Sequence, residues 1–126
     1  MLAREVFENA MVLAGMVNTD GTVDREREAD LMKQGVVFLN RIYSDLFYSE
    51  NPDGQFNPAS MNDDLSLTLS ERALHDIMPW GIAMLLAGSV GDSLTQSMMA
   101  STYSQKREGT IKMARTIKDN MPTGEW

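Results

Sequence analysis

The sequence predicts an all-α fold: four helices, with a long loop between helices two and three and a proline-kinked third helix. Three observations predict it. Apolar residues recur at three- and four-residue spacing in four segments. Runs of turn-forming residues separate those segments, among them Asn18-Thr19-Asp20-Gly21 and Asn51-Pro52-Asp53-Gly54. Hydrophobic residues make up 43% of the 126-residue chain, which suits one domain with a real core.

The first helix is expected from Met1 to about Gly15, with Val6, Phe7, Ala10, Met11, Leu13 and Ala14 at helical spacing. The second begins after Thr22 or Asp24, either of which caps a helix, and runs to about Ser49. Leu31, Gly35, Phe38, Ile42 and Leu46 form one stripe on it. Met32, Val36, Leu39, Tyr43 and Phe47 form another beside the first. Together they make the wide apolar face of a central helix.

Residues 50–66 read as a loop, built on Asn51-Pro52-Asp53-Gly54 and Asn57-Pro58. Leu65, Leu67 and Leu69 alternate with Ser66 and Thr68, the pattern of a short extended piece. The third helix starts at Ser70 and reaches about Ala87. Pro79 inside it predicts a kink or break. The fourth runs from Asp92 or Ser93 to Asn120, where Pro122 and Gly124 stop it. The division is therefore one helical domain over 1–121 and a short tail over 122–126.

Helix four is too long for its own core. About 28 residues at ~1.5 Å each give a rod of ~42 Å, against a radius of gyration near ~14 Å for a compact chain of this size. Unless Gly109 breaks it, such a helix meets another chain. Charge divides along the same line. Residues 1–92 hold 6 basic and 15 acidic residues, and residues 93–126 hold 5 and 3. The formal net charge of -7 is thus an acidic body joined to a basic helix carrying Lys106, Arg107, Lys112, Arg115 and Lys118. That polarity suits head-to-tail packing of identical subunits. A solvated face with ordinary charge variation accounts for the same letters.

The composition excludes several chemistries. Without cysteine there is no disulfide framework, thiolate nucleophile or cysteine zinc site. One histidine excludes His-pair metal motifs. Arg4, Glu5 and Glu8 interrupt any signal-peptide core. The longest uncharged stretch, Ile77 to Gly91, is too short to span a bilayer, so no membrane partner is expected.

Local motifs fail as sites. Calcium-loop alignment on Gly21 puts Met16 and Arg27 at positions one and twelve, and alignment on Gly54 puts serines there, where ligands are needed. Asp24, Glu26, Glu28 and Asp30 interleave with Arg25 and Arg27 as a surface charge cluster. Glu5 and Glu8 match the first carboxylate pair of a helical Mg²⁺-dependent nucleotide pyrophosphohydrolase. Glu50 and Asp53 match the second in letters only, because Pro52 forbids helical presentation. His75 and Asp76 are helical neighbours whose side chains diverge. No Gly-x-Ser-x-Gly elbow, P-loop or dinucleotide fingerprint is present. Met78, Met84, Met98 and Met99 read as core or interface filling. Catalytic, cofactor-binding and metal residues are all expected to be absent. Pro79-Trp80-Gly81 is the oddest local feature, either a kink with a packed Trp or a hinge or docking knob between subunits.

The stretch from Ile77 to Ala87 (IMPWGIAMLLA) resembles the Leu-Pro-aromatic-Gly-Leu-Ala-x-x-Leu-Ala segment of tailed-phage head–tail connector (adaptor) proteins of the siphophage type. Gly91-Asp92 follows, and then Met99 to Arg107 (MASTYSQKR), similar to that family's Tyr-Asn-x-Lys/Arg run. Arg4 to Ala10, Gly21-Thr22-Val23-Asp24 and Leu39-Asn40-Arg41-Ile42 also resemble the family. Trp80 stands where Tyr is commoner and Ser104 where Asn is commoner. The resemblance implies a connector-type helical subunit of a dodecameric ring in the virion neck, assembled in the host cytoplasm. That ring lies between portal and stopper or tail-completion protein. Genomic DNA passes through it without sequence-specific binding, and neither catalysis nor a cofactor is implied. On this reading the hinge or subunit-interface residues are Pro79, Trp80, Gly81, Tyr103, Lys106, Arg107, Lys112, Arg115 and Lys118. The alternative is a small helical nucleic-acid-binding packaging protein, like a small terminase subunit, supported by the basic residues of helix four.

Overall fold

The structure, a computed structural model, describes the backbone of residues 1–16 and 25–119, and the side chains of 1–16, 26, 29 and 31–109. Among these residues the chain is all-α: α1 (Ala3–Leu13), α2 (Arg25–Glu50), α3 (Met78–Ser89) and α4 (Ser93–Asp119), with no strand. The expected caps Thr22 and Asp24, the end at Asn120 and the tail 122–126 lie outside the described residues.

α1 buries Ala3, Val6, Phe7, Ala10 and Met11, one helical stripe. It ends on Gly15, whose φ of +76° is open to glycine. There Met16 N–H donates to Met11 O and Gly15 N–H to Val12 O, so two terminal carbonyls are satisfied. α3 ends in the same way. Gly91 takes φ +76°, Asp92 N–H donates to Ala87 O, and Gly91 N–H donates to Gly88 O. Asp92 then caps α4, its Oδ1 accepting from Thr95 N–H at 3.1 Å. Residues 90–92 therefore turn the chain tightly and set α4 back against α3.

α3 is apolar on nearly every side and takes the centre, packed against α1, α2 and α4. α2 contributes Leu39, Ile42, Tyr43, Leu46 and Phe47 to the buried core. Where a kink or break was expected at Pro79, the chain stays helical from Glu71 to Ser89 and carries a π-helical turn, Ala73–Ile77, just before the proline. In a regular α turn the proline ring collides with the carbonyl four residues back. The wider turn relieves that contact without ending the helix.

The loop after α2 is anchored at several points. Asn40 Nδ2 donates to Ala59 O at 2.9 Å, while Ala59 N–H donates back to Asn40 Oδ1 at 2.7 Å. The carbonyls of Asp63 and Met61 accept from Ala3 and Arg4 N–H, two of the donors that a helix start leaves open. Phe56 joins Tyr43, Phe47 and Tyr48 in a cluster of edge and tilted ring contacts. The loop closes where Glu50 accepts from Ser70 N–H and Oγ at 3.0 and 2.8 Å.

Leu65 to Leu69 differ from the expected extended piece. Leu65–Leu67 form a 3₁₀ turn, and Asp64 Oδ1 accepts from the Ser66 amide and hydroxyl. Those two bonds, the hydroxyl first, hold the Asp64 carboxyl down at about 2. Leu65 and Leu69 fall on one buried side, and Leu67 is 88% exposed.

Asn40→Ala leaves the Ala59 amide and carbonyl without partners in a part-buried position. It is expected to cost about 1–3 kcal/mol in urea unfolding and to hasten limited proteolysis within 51–64. Unchanged stability and cleavage would show that the Asn40 clamp does not hold the loop.

Candidate interface between the third and fourth helices

α4 runs antiparallel to α3 in a register that three contacts define. A Cβ at Gly88 would lie 2.6 Å from Gln96 Nε2, and one at Gly81 would lie 2.9 Å from Tyr103 Cε2. Lys106 Nζ reaches Asp76 Oδ1 at 2.8 Å and lies 5.6 Å from the centre of the Trp80 ring. Gly81 is where three helices meet, because its missing side chain also admits Ile42 Cγ2 of α2 at 2.9 Å. Only glycine lets three helices approach there.

Along the described part of α4, Tyr103 is the one buried side chain. Its hydroxyl donates to Asp45 Oδ2 at 2.6 Å. Arg107 grips the same carboxylate with two atoms, Nε at 2.7 Å and Nη2 at 3.0 Å. Burial pushes the Tyr103 hydroxyl pKa up, and the Asp45 carboxylate pushes it further in the same direction. α4 is thus fastened to α2 through Asp45 and to the helical run before α3 through Asp76.

The structure gathers Trp80, Gly81, Tyr103, Lys106 and Arg107 into this face, with Pro79 buried beside them. Lys112, Arg115 and Lys118 lie on the helical backbone of α4, and their side chains are outside the described set. The partners Asp45 and Asp76 were not visible as such in the sequence. The signal was faint: Asp45 is an isolated acid inside the apolar run Ile42–Phe47, and helical acids at such positions need a cation.

His75 and Asp76 form no dyad. His75 Nε2 meets Glu71 Oε2 at 3.0 Å, and Asp76 turns to Lys106. Among the described residues no group of three Asp, Glu or His side chains is placed to hold a metal ion. None of their helices is long and apolar enough to cross a membrane. Beside Trp80 an open groove of about 400 Å³ lies between α1 and the π turn, floored by Val12, Leu13 and Pro79. No family model, curated protein or solved structure matches this chain.

The Tyr103 contact has a pH signature. A hydroxyl whose folded pKa is raised adds stability that is complete below the ordinary tyrosine value near ~10 and is lost as pH rises beyond it. Urea midpoints are expected to fall above about pH 10, and Tyr103→Phe to flatten that fall by removing the group. Parallel curves for the two proteins between pH 8 and 11.5 would break the assignment. At neutral pH the same variant is expected to cost about 1 kcal/mol, since Asp45 keeps Arg107.

Proposed function

We propose that this chain is a structural subunit of a tailed-phage neck, a head–tail connector that forms a ring between the portal and the stopper or tail-completion protein. One observation carries the reading. The residues in which the chain resembles that family are also those on which the packing of α3 and α4 depends. Pro79 follows the π turn, Gly81 admits two helices, and Tyr103 fills the gap. Lys106 and Arg107 then fasten the helix. A resemblance of surface letters alone would not fall on these positions.

Two further features support it. α4 is ~40 Å long, whereas the helical run it packs against, Glu71 to Ser89, is ~28 Å. In the register set by Gly88–Gln96 and Gly81–Tyr103, α4 passes the start of that run near residue 113, and Gly109 does not interrupt it. Its last turns are then available to a neighbouring ring. An acidic chain also suits a channel wall, since it repels phosphate and lets DNA slide. The packaging-protein reading draws on the basic residues of α4, and two of the five are engaged with Asp45 and Asp76 of the same chain.

Mixed with its portal, the protein is expected to co-elute as a ring by size-exclusion chromatography with light scattering, and negative-stain images are expected to show a dodecameric collar. A strict monomer that never binds portal would overturn the reading.

A further inference from the structure

α4 presents an outward face that the described residues leave uncovered. Leu94 is 73% exposed and Met98 57%, one helical turn apart, and Val90 at the α3–α4 turn continues the line at 49%. From Ser93 to Gln105 the helix carries no charged residue. Exposed helix faces are normally rich in Lys, Glu and Arg, and loss of charge marks the centre of protein interfaces. Leu94 and Met98 contribute a large apolar area that a solvated face does not need.

The chain also carries a concave counterpart. The groove beside Trp80 is floored by Val12, Leu13 and Pro79, and Val12 is 48% exposed. Asp76 and His75 line it, and both are paired within the chain, Asp76 with Lys106 and His75 with Glu71. It therefore calls for an uncharged occupant, and the α4 face is uncharged. Stripe and groove do not serve each other within one molecule. Leu94 and Met98 stand level with residues 90 and 86 of the α3 side, whereas the groove lies at residues 75–80, ~15 Å along the helix pair.

We propose that the Leu94–Met98 stripe of α4 seats in the Val12–Trp80 groove of a second copy of this chain. Two different surfaces meeting in this way form a heterologous contact, which propagates head to tail and closes into a ring when the rotation permits. The inference rests on the self-assembling reading above and names the contact that performs it. Closure of the ring adds stability to each such contact, because the last one forms within a single assembly.

The test uses the full chain and two exposed-site variants, Leu94→Glu on the stripe and Val12→Glu on the groove. Asn9→Glu serves as a second groove variant, and each must keep wild-type helicity by circular dichroism. By sedimentation velocity the wild type is expected to associate with rising concentration. Each variant alone is expected to weaken association at least about tenfold. An equimolar mixture of the two is expected to form a heterodimer, because one intact stripe still meets one intact groove.

Three results would overturn the proposal: a wild type that stays monomeric, a groove variant that associates normally, or a mixture that does not pair. Portal binding by the same variants separates the two readings. Portal binding without self-association through these surfaces sinks this inference alone. Self-association through them without portal binding sinks the connector reading alone.

Discussion

The absence of a side chain at Gly81 is the constraint from which the rest of the arrangement follows. Ile42 of α2 and Tyr103 of α4 both approach the space that a Cβ would occupy, each to 2.9 Å. With that approach granted, α3 sits between its neighbours at backbone distance and the Tyr103 ring is buried. Its hydroxyl then reaches Asp45 across the junction at 2.6 Å. Arg107, one helical turn further, meets the same carboxylate. A methyl group at Gly81 would press on Ile42 of α2 and on the Tyr103 ring of α4 at once, and both are packed in the core.

Along the described part of the 27-residue α4, Tyr103 is the one buried side chain. Tyr103 in the core and Met99 packed against it seat α4, and polar contacts fix its register. The turn at Gly91 and the Asp92 cap fix where it starts. Asp76 and Asp45 fix where it lies, and the Trp80 ring adds a face for Lys106. Surface ion pairs are individually weak. These act together because each donor is already positioned by the helix register, which lowers the ordering cost of every bond. A helix fastened on that side leaves Leu94 and Met98 exposed on the other.

Much of the fold was legible in the letters, and the physical reason is periodicity. α1, α2 and α4 end within about two residues of the spacing-based boundaries wherever these are described, the usual uncertainty of such limits. Gly15 marked a helix end because left-handed backbone favours glycine. What the letters concealed depends on partners far away in sequence. Asn40 looks like one more polar residue on a helix until Ala59 is folded onto it, 19 residues away. Leu65, Leu67 and Leu69 alternate like a strand, but Asp64 closes a turn over them. Pro79 announced a disturbance without saying which kind. A π turn precedes it, and Ile77, Met78 and Ile82 all lie in the core. In the interface, the cations were legible and their acidic partners were not.

The charge polarity of the sequence acquires a different meaning in the structure. An acidic body and a basic helix first suggest subunits attracted head to tail. Lys106 and Arg107 instead close onto Asp76 and Asp45 of their own chain, so part of that polarity serves to hold α4 in place. Attraction between copies then has less charge to draw on, and the acidic remainder of the body works against it. What two such molecules can share is the surface without charge, and the outward side of α4 between Ser93 and Gln105 is such a surface. The two kinds of contact respond oppositely to salt. Screening loosens the ion pairs that dock α4 and reduces repulsion between acidic bodies, while the proposed apolar contact between copies would survive it. The ion pairs of α4 are therefore the salt-sensitive part of a fold whose core is apolar.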